Sequence, residues 1–211
     1  VRTWDAASGE AIGVFAGHAA GVLDLAYAPD GATLASSADD QTARLWDPRT
    51  PGTPATVVLR GHEAGVTALA FHPDQPALLT ASFDRTLRMW ALDRGEADRA
   101  PSGGHTAWMS GGDIREDGAL AATSAADRTV RLWSLPDGGA RSVLVGHTDR
   151  VRAVRFLDGG RRLATAGTDR TIRLWDTASG EHLRTMVGAP FTVLGLDVAP
   201  SVWIAASHVP D

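Results

Sequence analysis

The stretch GHEAGVTALAFHPDQPALLTASFDRTLRMW, residues 61–90, decides how this chain is to be read. It opens on Gly61-His62, ends on Trp90 and carries Asp84 six residues before that tryptophan. Each landmark recurs. Gly-His stands at Gly17-His18, Gly61-His62, Gly104-His105 and Gly146-His147, in steps of 44, 43 and 42, and Gly188-Ala189 holds the next place, 42 residues on. Tryptophan stands at Trp4, Trp46, Trp90, Trp133 and Trp175, in steps of 42, 44, 43 and 42. From histidine to the following tryptophan is 28 residues in all four repeats, with Asp40, Asp84, Asp127 and Asp169 each six residues before it. Self-similarity at a fixed period of this size marks a tandem array of supersecondary units.

Within a unit the residues read as four short strands joined by turns. Val66, Ala68 and Ala70 alternate with Thr67, Leu69 and Phe71, and residues 151–156 repeat the pattern. Period-two patterning of this length predicts a half-buried strand. Turn residues follow at Pro29-Asp30-Gly31, Pro73-Asp74-Gln75, Asp117-Gly118 and Asp158-Gly159-Gly160, where Pro presets φ and Gly and Asp accept unusual backbone angles. A second strand is predicted over 34–38, 78–82 and 163–167. A third, carrying Thr-x-Arg-x-Trp, is predicted over 42–46, 86–90, 129–133 and 171–175. A weaker fourth precedes the next Gly-His, as at 57–59 and 143–145, while residues 93–104 of repeat 2 read as loop.

Composition narrows the function classes. The 211 residues are 44% apolar and 21% charged, as in a folded globular chain, and contain no cysteine. That excludes disulfide frameworks, cysteine-ligated metal and thiol catalysis. No apolar run approaches the ~20 residues that cross a bilayer, so no membrane partner is expected. The chain opens VRTWD, with no signal-peptide pattern, and a cytoplasmic location is expected. Twenty basic against 25 acidic residues give a net charge of −5, which argues against a nucleic-acid partner. Every basic residue is arginine, a composition read here as bacterial, high-GC coding bias.

The sequence Gly-His, then Asp, then Trp-Asp (Trp4-Asp5, Trp46-Asp47, Trp175-Asp176) resembles the WD-repeat β-propellers; two units depart from it, ending Trp90-Ala91 and Trp133-Ser134. The resemblance covers essentially the whole chain. It implies an all-β propeller whose blades are four-stranded sheets. Four whole repeats (17–60, 61–103, 104–145 and 146–187) are then flanked by the end of a blade (1–16) and the start of a fifth repeat (188–211). Residues 1–5 align with 43–47, residues 11–15 supply a fourth strand, residues 196–200 align with 25–29, and Asp211 falls at the place of Asp40. The two half-blades could combine into a five-bladed ring. The expectation is instead an open arc of a seven-bladed ring, with an adhesive strand edge at each end.

The same resemblance implies that His, a hydroxyl, Asp and Trp form a hydrogen-bonded structural tetrad inside each blade. Carried over residue by residue, it is His62, Ser82, Asp84 and Trp90 in repeat 2. The other repeats supply His18, Asp40 and Trp46; His105, Asp127 and Trp133; and His147, Asp169 and Trp175. Their hydroxyl position holds Ala38, Ala125 and Gly167, with Ser36, Thr123 and Thr165 two residues earlier, where a water could bridge. A catalytic reading of the His/Ser/Asp set would need a pocket beside a site copied four times, which argues against it. Metal binding fails on geometry, because equivalent histidines of different blades cannot all lie ~2 Å from one ion; His72, His182 and His208 show no ligand spacing either. Asp39-Asp40 reads as a turn, and Gly103-Gly104 and Gly111-Gly112 lack the Lys-Ser/Thr of a phosphate loop. Neither catalytic nor cofactor residues are expected.

The family resemblance implies a non-catalytic protein-interaction scaffold or sensor. The alternatives are the regulatory part of a bacterial signalling enzyme, with its ATPase, kinase or protease-like module outside this chain, and a propeller hydrolase or lyase. The last would bring non-repeated polar residues into the channel, and none is evident in the sequence. In this family one face of the ring carries Gly21, Leu23 and Asp39; Gly65, Thr67 and Phe83; Trp108, Ser110 and Ala126; Arg150, Arg152 and Thr168; and Thr192 and Leu194. Among these Phe83, Trp108, Arg150 and Arg152 have the composition enriched at interface hot spots and are the expected partner-binding surface, for a protein or peptide that is acidic or phosphorylated. The run Arg150, Arg152, Arg155, Arg161 and Arg162 reads as ordinary charged surface, with a local anion-binding patch for an acidic or phosphorylated partner as the alternative. Arg2, Arg44, Arg88, Arg131 and Arg173, two residues before each tryptophan, are expected on a solvated face pairing with Asp or Glu.

Overall fold

The computed structural model describes residues 1–93, 96–99, 104–135, 137–187, 192–198 and 204–209. Among the described residues the elements are twenty short strands and one 3-10 turn. Four antiparallel four-stranded sheets follow one another along the chain. Blade 1 is β3 (Val22–Tyr27), β4 (Leu34–Ala38), β5 (Ala43–Trp46) and β6 (Val57–Leu59). Blade 2 is β7 (Val66–Phe71), β8 (Ala77–Ser82), β9 (Leu87–Ala91) and β10 (Glu96–Arg99). Blade 3 is β11 (Met109–Ile114), β12 (Leu120–Ala125), β13 (Thr129–Ser134) and β14 (Gly139–Val145). Blade 4 is β15 (Val151–Leu157), β16 (Arg162–Gly167), β17 (Ile172–Asp176) and β18 (His182–Met186). Two hairpins flank them, β1 (Arg2–Trp4) with β2 (Ala11–Val14), and β19 (Thr192–Val198) with β20 (Ile204–Val209).

This is the all-β array of propeller blades that the period implied. One element corrects the expectation. Residues 93–104 of repeat 2 are not all loop, since β10 pairs with β9 and completes that sheet. Among the described residues β1 pairs only with β2 and β20 only with β19, so the array is open. Gly188-Ala189 and Asp211, used to frame the fifth repeat, lie outside the described residues.

The innermost strands β3, β7, β11, β15 and β19 lie side by side, and each after β3 also touches the second strand of the blade before it. Alternation puts one apolar row into each junction. Leu45, Leu59, Val66, Leu69 and Leu78 close the junction of blades 1 and 2, and Leu132, Leu144, Val151, Val154 and Leu163 that of blades 3 and 4.

A register shift recurs in the first strand of every unit, between Val22 and Asp24, Val66 and Ala68, Met109 and Gly111, Val151 and Ala153, and Val193 and Gly195. Such a bulge leaves one residue unpaired and re-aims its side chain. In blades 2 and 3 the bulged residue reaches the next blade. The Thr67 hydroxyl donates to Met109 O at 3.0 Å, and that of Ser110 donates to Val151 O. Two half-buried aspartates make the complementary bond. Asp24 accepts the Leu69 N–H and Asp113 the Phe156 N–H, both at 2.8 Å. An innermost strand is a sheet edge whose outward N–H groups find no ladder partner, and these carboxylates supply one. Burial pushes both carboxyls up from their ordinary value, against the pull of those backbone donors and of Arg155.

Asp113→Ala should therefore cost about 2 kcal/mol by stranding the Phe156 N–H. Asp113→Asn, which keeps an acceptor without a buried charge, should cost less than about 1. Urea unfolding measures both, and equal losses would contradict a hydrogen-bonding role.

Candidate functional site

Each blade contains one side-chain relay. In blade 2 the Trp90 indole N–H donates to Thr80 Oγ1 at 2.8 Å, Thr80 Oγ1 lies 2.7 Å from His62 Nε2, and His62 Nδ1 lies 2.8 Å from Asp84 Oδ2. Blades 1, 3 and 4 repeat it with Trp46–Ser36–His18–Asp40, Trp133–Thr123–His105–Asp127 and Trp175–Thr165–His147–Asp169, every link between 2.7 and 2.9 Å. Chemistry fixes the direction. An indole N–H only donates and a carboxylate only accepts. With a neutral imidazole the hydroxyl accepts from tryptophan and donates to Nε2, and Nδ1 is the protonated nitrogen facing the carboxylate.

The aspartate is anchored twice more. Asp84 Oδ2 also accepts the Glu63 N–H at 2.9 Å, and Oδ1 accepts the Thr86 hydroxyl at 2.6 Å and the Thr86 N–H at 2.8 Å. Burial pushes the Asp84 carboxyl up, but the bonds from Thr86, Glu63 and His62 outweigh it and hold it below its ordinary value. The Asp169, Asp40 and Asp127 carboxyls are lowered in the same balance. Burial lowers the His62 and His147 imidazoles despite their aspartates, and Arg88 and Arg173 push the same way. A neutral imidazole is what the relay requires.

The relay corrects one expected member. Ser82 is not the hydroxyl of blade 2; it donates to Ala64 O and accepts the Asp84 N–H. Thr80 takes its place, and Ser36, Thr123 and Thr165 bond the histidine directly. The reason is reach. Residues 80 and 82 share a face of β8, but two residues separate them by about 6.6 Å along the strand, and only residue 80 lies between imidazole and indole. The arginines before each tryptophan are corrected too. Arg44, Arg88, Arg131 and Arg173 are half-buried with Nε enclosed and unpartnered, and none forms an ion pair among the described residues. Arg88 lies across Gly61 instead: Gly61 has φ 151°, and a Cβ there would meet Arg88 Nη1 at 3.1 Å and the Trp90 ring at 3.4 Å.

The residues expected to bind a partner are brought together in part. Phe83 and Trp108 meet edge to face, with ring centroids 5.3 Å apart at 81°, and the Arg150 guanidinium carbon lies 5.2 Å from the Trp108 ring centre. Three consecutive blades thus supply one stack. Its backbone is pinned, since the Phe83 N–H donates to Gly65 O at 2.9 Å, the Ala126 N–H to Trp108 O at 2.9 Å and the Thr168 N–H to Arg150 O at 2.8 Å. Gly65 permits the approach from blade 1, because a Cβ there would meet Asp39 Oδ1 at 2.7 Å and the Phe83 ring at 3.1 Å. Phe83, Asp39 and Arg150 are exposed and Trp108 is half-exposed. Arg152 sits half-buried at the bulge of β15, outside the stack. The longer arginine run does not form one patch. Arg155 turns inward to Val154 O at 2.9 Å, and Arg162 pairs with Asp158.

The sequence reading missed the interior polar residues. Asp24 and Arg155 are non-repeated, Asp113 shares its place only with Asp197, and Asp24, Asp113 and Arg155 stand on innermost strands, where no such residue was expected, but Asp24 and Asp113 each already hold a backbone N–H of the next blade. Among the described residues no group of three or more His, Asp or Glu is placed to hold a metal ion, and no helix is long and apolar enough to cross a membrane.

The sequence profile of the WD domain, G-beta repeat family matches residues 9–47, 53–91, 102–134 and 139–176. This chain belongs to the WD-repeat family. Similar stretches occur in the nuclear distribution protein PAC1 of Arthroderma benhamiae and of Trichophyton verrucosum, each 47% identical over 47 residues. The match spans 22% of this chain and 10% of either relative, about one repeat.

Thr80→Val, which keeps the shape and deletes the hydroxyl, should destabilise the protein by about 2–3 kcal/mol because indole and imidazole both lose their partner. Ser82→Ala should cost about 1; urea melts in which Ser82→Ala is the worse variant would contradict the relay. Stability should also fall in acid. The lowered histidines contribute stability above the unfolded pKa of about 6.5 and the lowered aspartates above about 3.9. Both contributions are lost as pH drops toward the folded values. The Tm should be level from pH 8 to 7, fall below about pH 6 and fall further below about pH 4. A Tm that rises from pH 7 to pH 5 would show an imidazolium–carboxylate pair instead.

Proposed function

We propose that this chain is a non-catalytic interaction module that binds an acidic or phosphorylated peptide segment across Phe83, Trp108, Arg150 and Arg152. The observation that carries this reading is the Phe83–Trp108–Arg150 stack, contributed by three blades. Aromatic and arginine side chains are enriched in binding hot spots. A tryptophan already buttressed on one side by a ring and on the other by a guanidinium loses little freedom when a ligand covers it. The charge along the surface has a direction. Asp39 stands at the blade 1 end and Arg150 with Arg152 at the blade 4 end, so the anionic group of the ligand lies toward blade 4, where a planar guanidinium can grip carboxylate or phosphate with two bonds. In the family at large, WD repeats serve as protein-interaction scaffolds, which agrees with this assignment.

The test is a peptide-array screen of the chain with phosphorylated and acidic peptides, followed by calorimetry on the best binder. Trp108→Ala should cost about 2 kcal/mol of binding, Arg150→Glu at least as much, and neither should move the thermal transition by more than a degree or two. Unchanged binding by Trp108→Ala would place the ligand elsewhere.

A further inference from the structure

We propose that the cavity between blades 1 and 2 takes an arginine side chain of a protein partner, on the face opposite the Phe83–Trp108–Arg150 stack. That stack stands on the loops before the first strands and on the turn after the second. The cavity lies at the other end of those strands, between the β3–β4 turn and the β7–β8 turn. It has a volume of about 420 Å³, and its lining includes Ala28, Asp30, Phe71, Asp74, Gln75 and Leu92. Both blades that form it are complete four-stranded sheets. The stack and the cavity share no residue.

The next two junctions show what fills this place from within. The residue after the first strand is Ala28 in blade 1, His72 in blade 2 and Arg115 in blade 3. Three residues further on stand Gln75 in blade 2, Gly118 in blade 3 and Gly160 in blade 4. His72 lies over Gly118 and Arg115 over Gly160. A Cβ added to Gly118 would collide with the imidazole ring, and one added to Gly160 would collide with Cγ and Cδ of Arg115. Each side chain crosses from its own blade to the turn of the next, and both glycines are buried beneath it. Ala28 ends at Cβ and is too short to cross, and Gln75, at the place of the glycines, is exposed. The cavity lies where the crossing side chain is missing.

The junction filled by arginine gives the chemistry of the occupant. Arg115 lays its aliphatic stem on Gly160 and donates from Nε to Asp117 Oδ1 at 2.7 Å, and the same oxygen accepts the Ala119 N–H at 3.0 Å. Asp30 holds the place of Asp117, and its Oδ1 accepts the Ala32 N–H at 2.9 Å. Blade 1 therefore keeps the carboxylate of this pair and lacks its guanidinium. Asp74 adds a carboxylate from the facing turn of blade 2, and among the described residues no arginine or lysine lines the cavity. Asp30 and Asp74 are both exposed. Phe71, Pro73 and Leu92 offer apolar surface on which a long basic side chain can bury its stem. A guanidinium is more weakly hydrated than an ammonium and presents five donors in one plane. It suits a half-apolar cavity with a carboxylate on either side better than lysine does.

The probes are the peptide acetyl-Gly-Arg-Gly-amide and its citrulline counterpart, which keeps the shape and removes the charge. Each is titrated into the nitrogen-15-labelled chain and followed by amide shifts. The arginine peptide should give saturable shifts within residues 28–33 and 71–77, and the citrulline peptide should bind several-fold more weakly. Asp30→Asn should weaken the arginine peptide several-fold. Ala28→Arg, which writes the crossing side chain into blade 1, should abolish its binding. The remaining amide spectrum of each variant distinguishes a blocked site from a lost fold. Equal binding of the two peptides, saturable shifts confined to other residues, or no shifts at all would overturn the proposal. So would arginine-peptide binding that survives Ala28→Arg unchanged.

Discussion

A one-way hydrogen-bond relay from an indole N–H through a hydroxyl and an imidazole to a carboxylate is the constraint on which each blade depends. With the imidazole neutral its donors and acceptors match in only one order, so it fixes tautomer, rotamer and spacing together. Asp84 ties the Gly-His loop before the first strand, through Glu63, to the turn before the third, through Thr86. That turn holds Arg85 at φ 70°, and Gln41, Arg128 and Arg170 repeat the strained angle at 67°, 69° and 64°. The carboxylate accepting the next threonine N–H holds the chain in that conformation, which only glycine adopts freely.

The relays fix blades, and a second, smaller set of bonds fixes blade to blade. Bulged Thr67 and Ser110 reach forward to carbonyls of the next innermost strand, and Asp24 and Asp113 accept its free N–H groups. Such an array is held by nearest-neighbour terms. The consequence for function is positional. Phe83, Trp108 and Arg150 lie on loops of three different blades, and the bulges, staples and Gly65 bring them within contact. In each blade a backbone bond ties the loop entering the first strand, which carries Trp108 and Arg150, to the turn before the third, which carries Phe83.

Much of this was legible in the sequence because the landmarks are the groups that must pair inside a blade. Gly61, His62, Asp84 and Trp90 mark one unit, and their recurrence marks the array. What escaped was set by distance or by singularity. Thr80 and Ser82 are equivalent by alternation, and only three-dimensional reach picks Thr80. Glu96–Arg99 has no strand pattern of its own, yet it pairs because β9 offers it an edge. Asp24 and Arg155 occur once each and Asp113 shares its place only with Asp197, so a reading built on repeats passed over them, although a charged residue within an otherwise apolar alternation was a visible signal. Arg88 and its counterparts read as solvated surface because the period does not show that they lie across glycine and indole.

The relay makes a claim about hydrogens that is directly observable. Long-range proton–nitrogen correlation on the uniformly nitrogen-15-labelled chain at neutral pH reports which imidazole nitrogen carries the proton. The account predicts that His62 and His147 are neutral with the proton on Nδ1, and that Thr80→Val changes the His62 Nε2 resonance while leaving His147 unmoved. An imidazolium at either position, or a proton on Nε2, would contradict it.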